Sequence, residues 1–393
     1  MPAPAPASKA RKPTYFDRGR SDLRRTLLFG MAILSGRAAR FMRAWLRAPG
    51  DVSEEEVELD RGGVVVPATV VRPSHQAGPL PGWVVLHGMT RPGRAHKQLV
   101  RFTRALVSSQ AVAIVPEVPE WRSLRLAPHL ANPTVQAGIE GLRASRWVAD
   151  GPVGVIGFSF GAPHAITSAA APELATEIGG VVGFGGYCDI ESTFHFFMTG
   201  KHEHGPVAPK IDPYGRWIVA ANYLAEVPAH SDAEDVADAL RELAQYAGDL
   251  QTPSWLPVYD PVIEKLRARV SPPRRELFDL FAPGSGVLPD PRAAIEIADG
   301  LAEAARRTDP LLDPRDALGR VSRPAHVIHG RNDLMIPASE TIKIGEALSD
   351  SIPRFVTVTR LFGHSSQDPF PALRMLQEVP RFTRALSGML SVA

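Results

Sequence analysis

Hydrophobic positions along the chain change period several times, and those changes mark the elements. Glu54–Leu59 alternates polar and apolar residues, and 64–72 is rich in β-branched residues. The Asp60-Arg61-Gly62-Gly63 stretch between them reads as a turn, so the two predict a hairpin. Short, wholly apolar runs follow: 82–86, 111–115, 153–156 and 180–187. Runs of that length without alternation predict strands buried on both faces. Between them lie helical patterns over 96–109, 133–149 (with Asn132 as N-cap) and 162–175. Strand–helix alternation with buried strands predicts a mainly parallel sheet covered on both sides. The alternation stops at about Ile190. From there to Leu318 helix signals dominate: a capping-box spacing at Ser231–Glu234, and Asp260-Pro261 and Asp290-Pro291 as N-cap and first-turn proline. The pattern resumes with strands at 325–328 and 354–361 and helices at 339–348 and 370–386.

Four segments follow from this: a basic extension over 1–50, an α/β core over 51–190 and 320–393, and a helical insertion over 191–319. The 393 residues, 44% of them hydrophobic, suffice for a large core. Net charge is only +2, which gives no reason to expect nucleic acid as a partner. Its distribution is uneven, since residues 1–50 hold eleven Lys/Arg against two Asp. Within them, 23–46 predicts an amphipathic helix. Leu23, Leu27, Met31, Leu34, Phe41 and Trp45 share one face, and arginines gather opposite. Such a helix suits a membrane surface, a partner subunit or the chain's own core. Its apolar run is too short to span a bilayer. A lone cysteine, Cys188, excludes an internal disulfide and fits a reducing, cytoplasmic setting.

The chemistry concentrates where strands end. Val153–Ile156 runs into Gly157-Phe158-Ser159-Phe160-Gly161, and a helical stretch follows. Strand, sharp turn and helix is the setting that presents a nucleophilic serine. A serine hydroxyl needs a base, and the base an orienting acid. Asp333, in His329-Gly330-x-x-Asp333-x-x-Ile336-Pro337, and His364, in Gly363-His364, each follow a predicted strand. Asp189 is the alternative acid. His202-Glu203-His204 lacks zinc-type spacing, so no metal or cofactor is expected.

Taken together, the serine pentapeptide, the acid loop, Gly363-His364 and His87-Gly88 resemble the α/β-hydrolase superfamily, in its serine-nucleophile esterase and peptidase-like branch. The resemblance covers about residues 52–190 and 320–393. It implies an α/β-hydrolase fold: a twisted, mainly parallel sheet, helices on both faces and a large helical cap. It further implies Ser159 as nucleophile, His364 as base, Asp333 as orienting acid, and the N–H groups of Met89 and Phe160 as the oxyanion hole. His87, Phe158 and Tyr187 are expected beside the substrate, with His87 also a candidate for tying its loop down. The aromatic-rich insertion favours a small uncharged ester or acyl substrate. Ester hydrolysis is the expected activity; amide or peptide cleavage, or a non-catalytic binding role on the same scaffold, are the alternatives.

Overall fold

The computed structural model describes residues 24–29, 51–76, 78–202, 211–359 and 387–390. They form an eight-stranded sheet: β1 (Val52–Asp60), β2 (Val65–Pro73), β3 (Gly82–Leu86), β4 (Val112–Pro116), β5 (Val153–Phe158), β6 (Ile178–Phe184), β7 (Ala325–Gly330) and β8 (Arg354–Thr359). The spatial order is β1-β2-β4-β3-β5-β6-β7-β8. β1 and β2 form the expected hairpin, and β2 runs antiparallel to β4. All other pairs are parallel. β3 is followed in sequence by β4 on one side and lies against β5 on the other. The chain therefore reverses direction across the sheet between β3 and β5. The ends of those two strands open a crevice of the kind in which α/β sheets bind ligands.

Alternation along the strands divides the core in two. Val84, Leu86, Val153 and Val155 face a layer containing α2 (Ala131–Arg143) and α3 (Gly161–Thr167). Trp83, Val85 and Ile156 face the opposite layer, built on α1 (Lys97–Ser108). Residues 24–29 complete that second layer. Leu28 and Phe29 are buried, Phe29 meets Phe102 edge-on at 5.3 Å, and Arg25 Nε donates to Ser109 O at 3.2 Å. This turn thus docks on the chain's own core. Its buried side chains are Thr26, Leu28 and Phe29, whereas Leu27, which the helical wheel put on the apolar face, is exposed. The rest of the expected amphipathic helix lies outside the described residues. Among them, no helix is long and apolar enough to cross a membrane.

Between β6 and β7 run α4 (Ile190–Thr199), α5 (Tyr214–Tyr223), α6 (Glu234–Leu250), α7 (Asp260–Arg269), α8 (Arg275–Phe281) and α9 (Pro291–Thr308). After β7 comes α10 (Ala338–Ala347). Several helix ends differ from their sequence signals. α2 starts at Ala131, with Leu130 rather than Asn132 before it, and stops at Arg143. Beyond it the chain turns back so that Leu80 N donates to Trp147 O at 3.0 Å and Ala149 N to Leu80 O at 2.8 Å. α3 is a short helix continued by a 3₁₀ turn, Ser168–Ala170, ahead of Pro172. No capping box forms at Ser231, which closes the turn Pro228–His230, and α6 begins at Glu234. Asp260 is the first helical residue of α7, and its carboxylate accepts from Ser285 N and Oγ instead. Asp290 caps α9 as expected, accepting from Arg292 N at 3.1 Å and Ala293 N at 2.9 Å.

Candidate active site

Ser159 stands between β5 and α3 with φ of 51°, a left-handed conformation that costs a non-glycine residue energy. Its N–H donates to Phe184 O at 2.7 Å, and its carbonyl accepts from Ala162 N at 2.9 Å, so both neighbours hold the strained turn. The turn is too tight for side chains at its flanks. A Cβ at Gly157 would come within 2.1 Å of Gly161 O, and one at Gly161 within 2.5 Å of His87 O. The loop after β3 is close as well: a Cβ on Gly88 would approach Ser159 Cβ to 2.9 Å. The next N–H in that loop is Met89, and the N–H after Ser159 is Phe160. Among the described residues neither has an acceptor.

His87 fixes the β3 loop from inside. Its ring is buried, and Nδ1 donates to Gly88 O at 2.7 Å, since a carbonyl only accepts. Nε2 lies 3.0 Å from Val118 N and 3.0 Å from Glu117 Oε1. Glu117 is itself buried and sits 3.6 Å from the guanidinium groups of both Arg94 and Arg122. His87 therefore ties its loop down and does not line the cleft. Phe158 does not line it either. It stacks on Phe184 at 5.0 Å and meets Phe102 edge-on, in the layer of α1. Two-residue alternation along β5 puts it on the face of Ile156, away from Ser159's side of the turn.

Asp333 follows β7 and is 7% exposed. Its Oδ1 accepts from Met335 N at 2.9 Å and Ile336 N at 3.1 Å. The loop is braced by His329, whose Nε2 donates to Ile336 O at 2.9 Å and whose Nδ1 lies 2.7 Å from Thr341 Oγ1. Asp189 has a different environment. It caps α4, accepting from Glu191 N at 3.0 Å, among Arg315 at 3.6 Å, Arg306 at 3.8 Å and Lys343 at 3.9 Å. His364, Glu203 and His204 lie outside the described residues.

An apolar cleft opens at Ser159. Met89, Phe160, Phe194, Phe197 and Ile218 contribute to its wall, and among the described residues no acidic or basic side chain does. Tyr187 is among its lining residues. Its hydroxyl is spent on Leu312 O at 3.0 Å, and burial pushes the phenol well above its usual range. Cys188 is buried, its thiol pushed up to about 12 by burial and then by the nearby Glu340, Asp189 and Asp313 carboxylates. A thiol held protonated in this way is a poor nucleophile. His164, a residue that sequence reasoning passed over, lies one turn beyond Ser159 among Trp121, Phe160 and Tyr187. Burial lowers it to about 3, so it is neutral and structural. Its signal was available, because i+5 from the nucleophile falls on the buried face of α3.

No family model and no curated protein matches the chain. Solved structures do align with it at low identity. The acylaminoacyl peptidase of Pyrococcus horikoshii aligns with 88% of this chain at 12% identity and a TM-score of 0.46. The chain spans only 43% of that peptidase's length. Est1E from Butyrivibrio proteoclasticus aligns over 86% of this chain and 98% of its own, at 10% identity and a TM-score of 0.45. The 2,6-dihydroxy-pseudo-oxynicotine hydrolase aligns over 98% and 90%, at 16% identity and a TM-score of 0.47. The sheet itself is decisive. Its order, its antiparallel β2 beside β4, and the strained serine turn leaving β5 at the crossover identify the architecture as the α/β-hydrolase fold.

Proposed function

We propose that the protein is a serine hydrolase that cleaves carboxylic esters through an acyl-enzyme. The observation that carries this reading is Ser159: a strained residue, at φ 51°, lining a cleft that has no charged side chain among the described residues, beside the Met89 and Phe160 N–H groups. In this reading Ser159 Oγ attacks the substrate's carbonyl carbon as its proton passes to His364. The carbonyl electrons move onto oxygen, which the Met89 and Phe160 N–H groups hold. One such donor typically contributes about 3 kcal/mol of transition-state stabilisation. Asp333 orients His364 and balances its positive charge. As the intermediate collapses, the bond to the alcohol oxygen breaks and His364 protonates it. Water then attacks the acyl carbon, giving its proton to His364, which returns it to Ser159 as the acid departs. Ester and water become acid and alcohol.

The assignment of His364 rests on the Gly363-His364 motif and the Ser–Asp–His order along the chain. The helices between β6 and β7 serve as a cap over the serine, and their apolar side of the cleft suits an uncharged acyl group. Amide or peptide cleavage would use the same residues, with an amine protonated in place of an alcohol. The test is turnover of p-nitrophenyl esters from acetate to long acyl chains, with fluorophosphonate labelling alongside. Ser159→Ala is expected to lower turnover by roughly a thousandfold or more and to abolish labelling. A wild type that labels but turns over amides and not esters would favour the amidase reading. A wild type with neither turnover nor labelling would overturn hydrolysis in favour of a binding role.

A further inference from the structure

Burying a carboxylate costs free energy unless opposite charge and hydrogen bonds compensate it. Glu117, just after β4, is buried, and its N–H donates to Pro67 O of β2 at 2.8 Å. Its carboxylate is compensated mainly by the loop between β3 and α1. Oε1 lies 3.0 Å from His87 Nε2, at the start of that loop, and accepts from Arg94 N at 3.4 Å, at its end. Oε2 lies 3.6 Å from Arg94 Nε and 3.6 Å from Arg122 Nη1. Gly93 belongs to the same fit. Its φ is 55°, and a Cβ there would collide with Glu117 Oε1.

One side chain therefore holds both ends of an arch, 88–92, that carries Met89. Two hydrogen bonds tie the arch to the same cluster. His87 Nδ1 donates to Gly88 O at 2.7 Å, and Arg122 Nε donates to Arg91 O at 2.8 Å. The arch passes close to the serine turn at Gly88, and Met89 lines the cleft together with Ser159 and Phe160. Glu117 is not among the described residues that line the cleft, so it can act on the chemistry only through the loop.

We propose that Glu117 is a positioning residue: by holding His87 at one end and Gly93-Arg94 at the other, it sets the place of the Met89 N–H. This deepens the ester-hydrolase reading, which makes that N–H an oxyanion donor, and rests on it. A preorganised donor of this kind acts on the charge that develops on oxygen in the transition state and adds little to ground-state binding. Misplacing it therefore lowers kcat and leaves KM close to its original value. Oε1 meets both ends of the loop, so reach rather than charge is what the hold requires.

The test measures kcat and KM for a p-nitrophenyl ester, each rate taken per serine labelled to completion by a fluorophosphonate, so that unfolded protein drops out. Glu117→Asp keeps the charge but withdraws the carboxylate by one methylene. It should lower kcat by about tenfold or more, with KM within about twofold. Glu117→Gln keeps the reach and should retain most of the wild-type kcat. An alkyl trifluoromethyl ketone, which Ser159 would attack to form a tetrahedral oxyanion, should bind Glu117→Asp more weakly by the factor lost in kcat. Glu120→Gln is the control: its carboxylate pairs instead with Arg61, in the turn after β1, at 2.8 Å. Its kcat should match wild type. A loss confined to KM, or an equal loss of kcat in Glu117→Gln or Glu120→Gln, overturns the inference. Labelling and turnover that Glu117→Asp leaves intact overturn this inference alone, and a wild type that neither labels nor turns over overturns the hydrolase reading together with it.

Discussion

At the scale of single residues, the site depends on what is missing from three positions. Gly157, Gly161 and Gly88 leave room for the strained Ser159 turn and its neighbouring loop. An alanine at 161 would put its Cβ 2.5 Å from the His87 carbonyl oxygen, a backbone atom that cannot swing aside. Gly161→Ala should therefore destabilise the protein by about 1–3 kcal/mol in urea denaturation and remove fluorophosphonate labelling. Gly88→Ala meets Ser159 Cβ at 2.9 Å, a milder conflict. It should slow labelling with less effect on unfolding. The serine and its glycines were legible in the sequence because backbone geometry alone demands those residue types. Phe158 was misread because adjacency in sequence is not adjacency in space: strand alternation turns it into the α1 layer. His87 was legible only as a loop residue. Its hold on Gly88 and its approach to Val118 and Glu117 join segments some thirty residues apart.

At the scale of elements, the loop that leaves β6 is fixed by a side chain from another part of the chain. Glu340, 1% exposed in α10, accepts from Cys188 N at 3.0 Å, Asp189 N at 2.9 Å and Ser192 Oγ at 2.8 Å. Lys343 Nζ, 3.3 Å from Glu340 Oε1, balances its charge. The carboxylate thereby sets the start of α4, which carries Thr193 and Phe194 into the cleft. Glu340→Ala strands one buried and one part-buried N–H group and leaves Lys343 without that counter-charge. It should cost about 3–5 kcal/mol by chemical denaturation; an effect under 1 kcal/mol would show that the loop holds itself. Helix starts show the same dependence on tertiary partners. Asp290 caps its own helix, with no other partner among the described residues, whereas Asp260 is drawn to Ser285, 25 residues away. Local spacing reads both aspartates alike.

At the scale of the whole molecule, two buried histidines couple the fold to pH. Burial lowers His164 to about 3 and His326 to about 4, from an ordinary 6.5. Between those values and 6.5 the unfolded chain binds protons that the native state refuses, so stability rises with pH across that window. The contribution is fully present above about pH 6.5 and is lost progressively on acidification. Stability measured by urea denaturation should therefore fall steeply from pH 6.5 toward 4. His164→Phe should reduce the slope by about 1.4 kcal/mol per pH unit, the equivalent of one proton. An unchanged slope would show that His164 does not carry the linkage.

By itself, the sequence determined the class of architecture, the strand positions, the serine turn and the position of the Asp333 loop after β7. These depend on short-range rules: the two-residue period of strands, the length of buried apolar runs, and the glycines a tight turn requires. The tertiary structure alone decided which side chains face the cleft, where helices begin when distant partners take their caps, and that residues 24–29 dock beside α1. Such outcomes depend on which groups compete for the same hydrogen bond or the same space, and that competition exists only once the chain has folded.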